Sequence, residues 1–187
     1  MPGQPRVLGI DDAPFTKGQD GEVPIVGVVV AGATQVEGVA ITSFPVDGEA
    51  ATAFLADWVR SSRWNAALQA IVLGGITIAG LGLVEIAVLA QELATPVLSV
   101  TRRPPGKGEL AKALTTAGHG ERVALLEHTP PAIEVEPRLH LAFAGIEERE
   151  ARKLLRATLG QGKMPEALRL AHLIGAALVH GQSKGRV

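Results

Sequence analysis

The apolar positions of this chain change period along its length, dividing it into a sheet-forming start and a mixed remainder. Residues 7–11, 23–32 and 36–44 are runs rich in β-branched residues, the last two separated at Ala33 and Thr34. Connections that short predict an antiparallel three-strand meander. Ala51, Phe54, Leu55, Trp58 and Val59 then recur at i, i+3, i+4, i+7 and i+8, the spacing of an amphipathic helix laid on that sheet. Asp47 stands just ahead of it, where it can cap the helix.

Beyond this helix, short apolar runs at 71–73, 96–100 and 139–143 read as strands. Between them lie a glycine-rich loop, a helix around 83–93 and a shorter one at about 109–115. Such alternation in the middle section predicts parallel pairing of the strands at 71–73 and 96–100, with helices covering the sheet, while 139–143 is a final strand. Residues 118–137, interrupted by Pro130 and Pro131, show no dominant period. Residues 146–159 read as a helix with Ala151, Leu154 and Leu155 inward and Glu147, Glu148, Arg149, Lys153 and Arg156 outward. Pro165 opens a last helix, to about 179, at a position proline favours. That helix is apolar almost all round, which fits burial between layers or at a subunit contact, so a homo-oligomer is an expected partner. No repeat or linker interrupts the pattern, and the expectation is one domain over 1–187.

Composition narrows the function. At 187 residues and 47% apolar the chain can bury a substantial core, yet aromatic residues are 3% and Tyr is absent. That weighs against a surface of stacked aromatics for single-stranded bases. A net charge of −1 gives no global pull toward nucleic acid or membrane, so any such binding rests on a local patch. Zero Cys excludes disulfides, thiolate zinc sites and a cysteine nucleophile, and is compatible with a cytoplasmic protein. The start of the chain reads as no secretory signal. Residues 64–84 carry no formal charge, but Asn65, Gln69, Thr77 and four glycines make them a buried strand and loop, not a membrane span.

The candidate chemistry begins where the first strand ends in Asp11 and Asp12. Side chains alternate across a strand, so the two carboxylates cannot share one environment. A carboxylate there suits Mg2+ or Mn2+ and hence phosphate chemistry. Asp47 is either a second ligand converging with Asp11 or only a helix cap, and Asp12 can simply open a turn with Pro14. Asp20, Glu22, Glu37 and Glu49 fall in turns or exposed strand positions. Arg102, Arg103, Lys107 and Lys112 follow a strand expected to be parallel, around Pro104, Pro105 and Gly106, where α/β sheets place ligand loops. They can hold a DNA or RNA backbone or form a solvated loop. Glycines 74–82 fit neither dinucleotide nor P-loop spacing and read as a packed loop. His172 reads as a packed or hydrogen-bonded core histidine. No serine has a nucleophile-elbow context.

Several blocks resemble a known family: Val7-Leu8-Gly9-Ile10-Asp11-Asp12 with Phe15, Val26-Gly27-Val28-Val29, Val46-Asp47-Gly48, Gly75-Ile76-Thr77 with Ala79-Gly80, Val100 with Arg102-Arg103, and Pro165 through His172. In this order they are similar to the uncharacterised family numbered 99 among domains of unknown function, related to endonuclease V. The resemblance implies an α/β ribonuclease H-like mixed sheet, three antiparallel strands then parallel ones, with helices on both faces. It implies Asp11 as the first-strand metal ligand, Asp47 at roughly the second acidic ligand and Arg102 near a basic residue. Gly74 and Ala50 stand where acidic residues are expected, and Ala144-Gly145-Ile146 lacks a histidine of endonuclease V.

Two readings follow. One is a magnesium-dependent endonuclease with Asp11 and Asp47 on the metal and Arg102, Arg103 and Lys107 on phosphates. The other, which the missing Gly74 carboxylate favours, is a degenerate relative that binds nucleic acid or protein, with weak metal binding and little cleavage.

Overall fold

The computed structural model describes residues 4–16, 18, 21–103, 106–160 and 162–183. Asp20, Pro104 and Pro105, singled out above, lie outside the described residues. The expected meander forms as β1 (Arg6–Asp12), β2 (Glu22–Ala31) and β3 (Gln35–Pro45), each antiparallel to the one before. α1 (Ala51–Ser61) follows, then β4 (Ala70–Leu73), a hairpin of β5 (Thr77–Ile78) and β6 (Gly82–Leu83), α2 (Ile86–Leu93), β7 (Val97–Thr101) and α3 (Lys107–Thr116). β1, β4 and β7 are parallel neighbours. The parallel run stops there. β9 (Leu139–Ala144) pairs antiparallel with β7 and with β8 (Ile133–Glu136), giving the order β3-β2-β1-β4-β7-β9-β8.

Strand alternation sends two hydrophobic sets to opposite faces. Leu8, Ile10, Ile25, Ile71 and Leu73 pack with α1, α2 and α3. Val7, Val26, Val28, Val72, Leu98 and Leu141 pack under α4 (Glu148–Thr158) and α5 (Glu166–His180). Residues 118–137, which lack a readable period, form a 3-10 stretch at Gly120–His128 and then β8. The buried Arg122 ties that stretch down by donating to the carbonyls of Asp47 (2.8 Å) and Leu81 (3.0 Å). These bonds join residues far apart in sequence, so no local pattern announces them.

One close approach sets the register of the candidate site. A Cβ on Gly9 would overlap the backbone of Ala167 and Leu168, lying 2.7 Å from the Ala167 carbonyl oxygen. Glycine therefore lets α5 lie directly on β1. Five helical residues on from Ala167 rise about 7.5 Å, and two strand residues on from Gly9 advance about 6.8 Å. That match brings His172 over Asp11. Gly9→Ala is expected to cost about 3 kcal/mol in urea unfolding, because backbone rather than a flexible side chain must move. A loss below about 1 kcal/mol would show that the contact is not tight.

Candidate active site

Asp11 and Asp12 end β1 on opposite faces, as alternation requires. Asp12 points to the α1 side, where its Oδ2 accepts the Ala79 N–H at 2.8 Å. It ties β1 to the hairpin rather than opening a turn. Asp11 points to the α5 side, its Oδ2 lying 2.9 Å from His172 Nδ1. When Nδ1 carries the proton it donates to Asp11, leaving Nε2 as the ring's acceptor. His172 is thus hydrogen-bonded, as one of its two sequence readings has it, but the imidazole is 67% exposed and not in the core. Glycine contacts hold the helix down while the ring stands over the strand end.

Two clefts meet at Asp11. One, of about 470 Å³, is lined by Asp11, Gly74, Arg102, Arg103, Arg169 and His172 over an apolar side formed by Val100, Met164 and Leu168. The other, of about 270 Å³, lies against the hairpin and is lined by Asp11, Asp12, Phe15, Gly75, Thr77 and Gly80. Arg102 and Arg103 therefore join the acidic centre. Arg169, not singled out from sequence, joins them, and its guanidinium donates to both Glu166 oxygens at 2.8 and 2.6 Å. Those bonds raise its pKa above the usual arginine value. The signal that could have found it is Arg169 and His172, polar residues at i and i+3 on an otherwise apolar helix.

Two expected residues are elsewhere. Asp47 lines neither cleft; its Oδ1 accepts the Leu81 N–H at 2.8 Å and it holds a positive φ of 53°. It braces the hairpin turn. It does not cap α1 either, since the N-cap position is Ala50 with no side-chain bond. Lys107 donates its Nζ to the Thr129 carbonyl at 2.9 Å and fixes α3 to the following segment. A separate groove of about 490 Å³ between α1 and α2 carries Glu49, Asp57, Glu85, Glu92 and Glu121, a lining that repels a polyanion.

Burial pushes the Asp11 pKa up to about 6, and the neighbouring Asp12 charge adds to the shift, while the bond to His172 opposes it. Burial raises Asp12 as well, against the Ala79 N–H. A folded-state pKa above the unfolded value means that the native state binds the extra proton. The stability this gives is complete below about pH 4 and is lost as pH rises through about 6. Asp11→Asn is therefore expected to match the parent near pH 4 and exceed it by about 2 kcal/mol at pH 8 in a chelator. A variant less stable at both pH values contradicts this.

The donor set fits one hydrated hard cation. Asp11 Oδ1 is the oxygen that faces Gly74, whereas Asp12 Oδ2 is taken by Ala79. Among the described residues no three His, Asp or Glu side chains group into a metal cluster. A pair of cations bridged by shared carboxylates does not fit. No described helix is long and apolar enough to cross a membrane.

A family model described as Endonuclease dU matches residues 4–179. A UPF0215 protein of Thermococcus kodakarensis is 37% identical over 187 residues, covering 97% of this chain and 95% of its own length. The solved structure of a protein of unknown function from Archaeoglobus fulgidus superposes with a TM-score of 0.86 at 34% identity, covering 95% of this chain and 99% of that one. Endonuclease V of Ciona intestinalis, solved with a 24mer DNA containing an inosine followed by a ribo-adenosine, has a TM-score of 0.59 at 12% identity, covering 91% and 83%. At that identity the likeness is one of fold.

Proposed function

This chain belongs to the Endonuclease dU family, and we propose that it binds DNA at a deoxyuridine and cuts the strand slowly with one divalent cation. The observation that carries this reading is that the Asp11–His172 pair shares one cleft with Arg102, Arg103 and Arg169. Arginines present fixed forks of donors to phosphate oxygens and bind backbone without reading sequence. The hairpin cleft, at about 270 Å³ near the lower end of small-ligand pockets, has room for a single base turned out of its stack but not for a pair.

Asp11 Oδ1 would hold magnesium or manganese, with water and a substrate phosphate completing the shell. Bound there, the cation would neutralise charge on the phosphate under attack. His172 Nε2, with Nδ1 tethered to Asp11, is the group placed to take a proton from the attacking water. A single cation and a single carboxylate oxygen support slow turnover.

A second reading, binding without cleavage, is favoured by Gly74, which brings no carboxylate to Asp11. An oligonucleotide with one deoxyuridine, incubated with manganese, separates the two. The first reading expects a single cut near the lesion, at least about tenfold faster than in a thymidine control. Tight binding with no cut would support the second.

A further inference from the structure

Strand β3 ends the sheet, and its two faces are treated differently. On one face Trp64 covers Gly38 so closely that a Cβ would overlap the ring, and Trp58 likewise covers Gly27 of β2. On the other, Val36, Val39 and Ile41 are 51%, 43% and 51% exposed. They stand beside Val30, Val28 and Val26, which are buried. α5 packs over β1 and β2 and stops short of β3. Leu170 and Ile174, about 160° round α5 from His172, continue the apolar strip on the helix flank away from the clefts.

The outer edge of β3 has no strand partner among the described residues. Edges are usually protected by lysine, proline or a bulge in the middle of the strand. Here the register shift lies opposite residues 36–38 and Pro45 is the last residue, leaving 38–44 regular. The strand contains no Lys or Arg, and its one charge, Glu37, is neutralised by Arg6, whose Nη2 lies 2.8 Å from Oε1.

We propose that β3 of a second copy of this chain pairs antiparallel with this β3 about a two-fold axis at Ala40. In that register Val39 falls opposite Ile41 on the uncovered face, twice over, Gly38 falls opposite Thr42, and Glu37 lies outside the regular pairing. Aliphatic pairs meet and like charges do not, so the strand is complementary to itself. The subunit contact expected on the last helix then centres on β3, with only the outer flank of α5 beside it. His172 and both clefts remain open.

Sedimentation of the full chain tests this. The expected mass is twice 19.4 kDa, and Val39→Lys with Ile41→Lys raises the dimer dissociation constant at least about a hundredfold, with circular dichroism unchanged. Because the chain has no Cys, Ala40→Cys adds a single thiol that meets its own copy at the axis, within disulfide reach. Mild oxidation is expected to give a covalent dimer much faster than for Val36→Cys, which lies outside the regular pairing. A wild-type monomer at about 100 µM, a dimer that survives the lysine pair, or equal cross-linking of the two cysteine variants would each overturn the proposal.

Discussion

Asp11→Asn is expected to reduce manganese-dependent cutting at deoxyuridine by at least about a hundredfold while leaving DNA binding intact. In the proposed function each Asp11 oxygen would have a separate task. Oδ1 faces Gly74 and is the atom available to a cation, and Oδ2 orients His172. Asparagine still offers an oxygen to Nδ1, so the ring stays in place, but the negative charge is lost. Removing that charge beside the arginine-lined cleft also lessens repulsion of a polyanion, so affinity for DNA should hold or rise. Together with greater stability above pH 6, this gives loss of activity with gain of stability. Single-turnover cleavage and a fluorescence binding titration on one preparation check it. Equal loss of binding and cutting would instead make Asp11 a structural residue.

Gly74→Asp is expected to strengthen manganese binding by about one to two orders of magnitude and to raise the cutting rate about tenfold. Gly74 directly follows β4, the strand next to β1, and lines both clefts. A Cβ there would lie 3.4 Å from Asp11 Oδ1, an ordinary contact, and 3.7 Å from Leu168. A side chain can therefore start there without moving backbone. The added carboxylate would sit beside two carboxyls whose pKa values are already raised. Without metal the variant should lose about 1–3 kcal/mol at pH 8, and manganese should restore it through binding to the folded state. Gly74→Ala serves as the neutral control. Calorimetry showing manganese affinity equal to the parent would mean that Gly74 is not the missing ligand position.

The parts of this molecule legible in its sequence are those fixed by local periodicity. β1 to β3 follow from β-branched runs, β4, β7 and β9 from short apolar runs, α1 and α4 from helix-spaced apolar positions, and α5 from Pro165. That a carboxylate ending β1 reaches a cleft was legible, because side chains alternate across a strand. Asp47 was misleading because its place ahead of a helix suits a cap, while its actual partner, the Leu81 amide, lies across a hairpin that two-residue strands do not announce. His172 is hydrogen-bonded as its reading allows, but its exposure was hidden for a related reason. α5 is apolar on most sides, and only the bare backbone at Gly9 shows how closely it lies on β1 and hence which residue reaches Asp11. Lys107 belongs to the same class, since its bond to Thr129 depends on how α3 and the following segment pack.

In the proposed function a DNA strand lies along the cleft of Asp11, Arg102, Arg103 and Arg169. The dependence of binding on salt, measured with a single-stranded deoxyuridine oligonucleotide, tests it most directly. Three arginine–phosphate contacts predict a slope of log affinity against log salt of about −2, at roughly −0.7 per contact. Arg102→Ala with Arg103→Ala should bring the slope to about −0.7 and lower affinity at low salt by at least tenfold. An unchanged slope in the double variant, or binding insensitive to salt, would contradict the account.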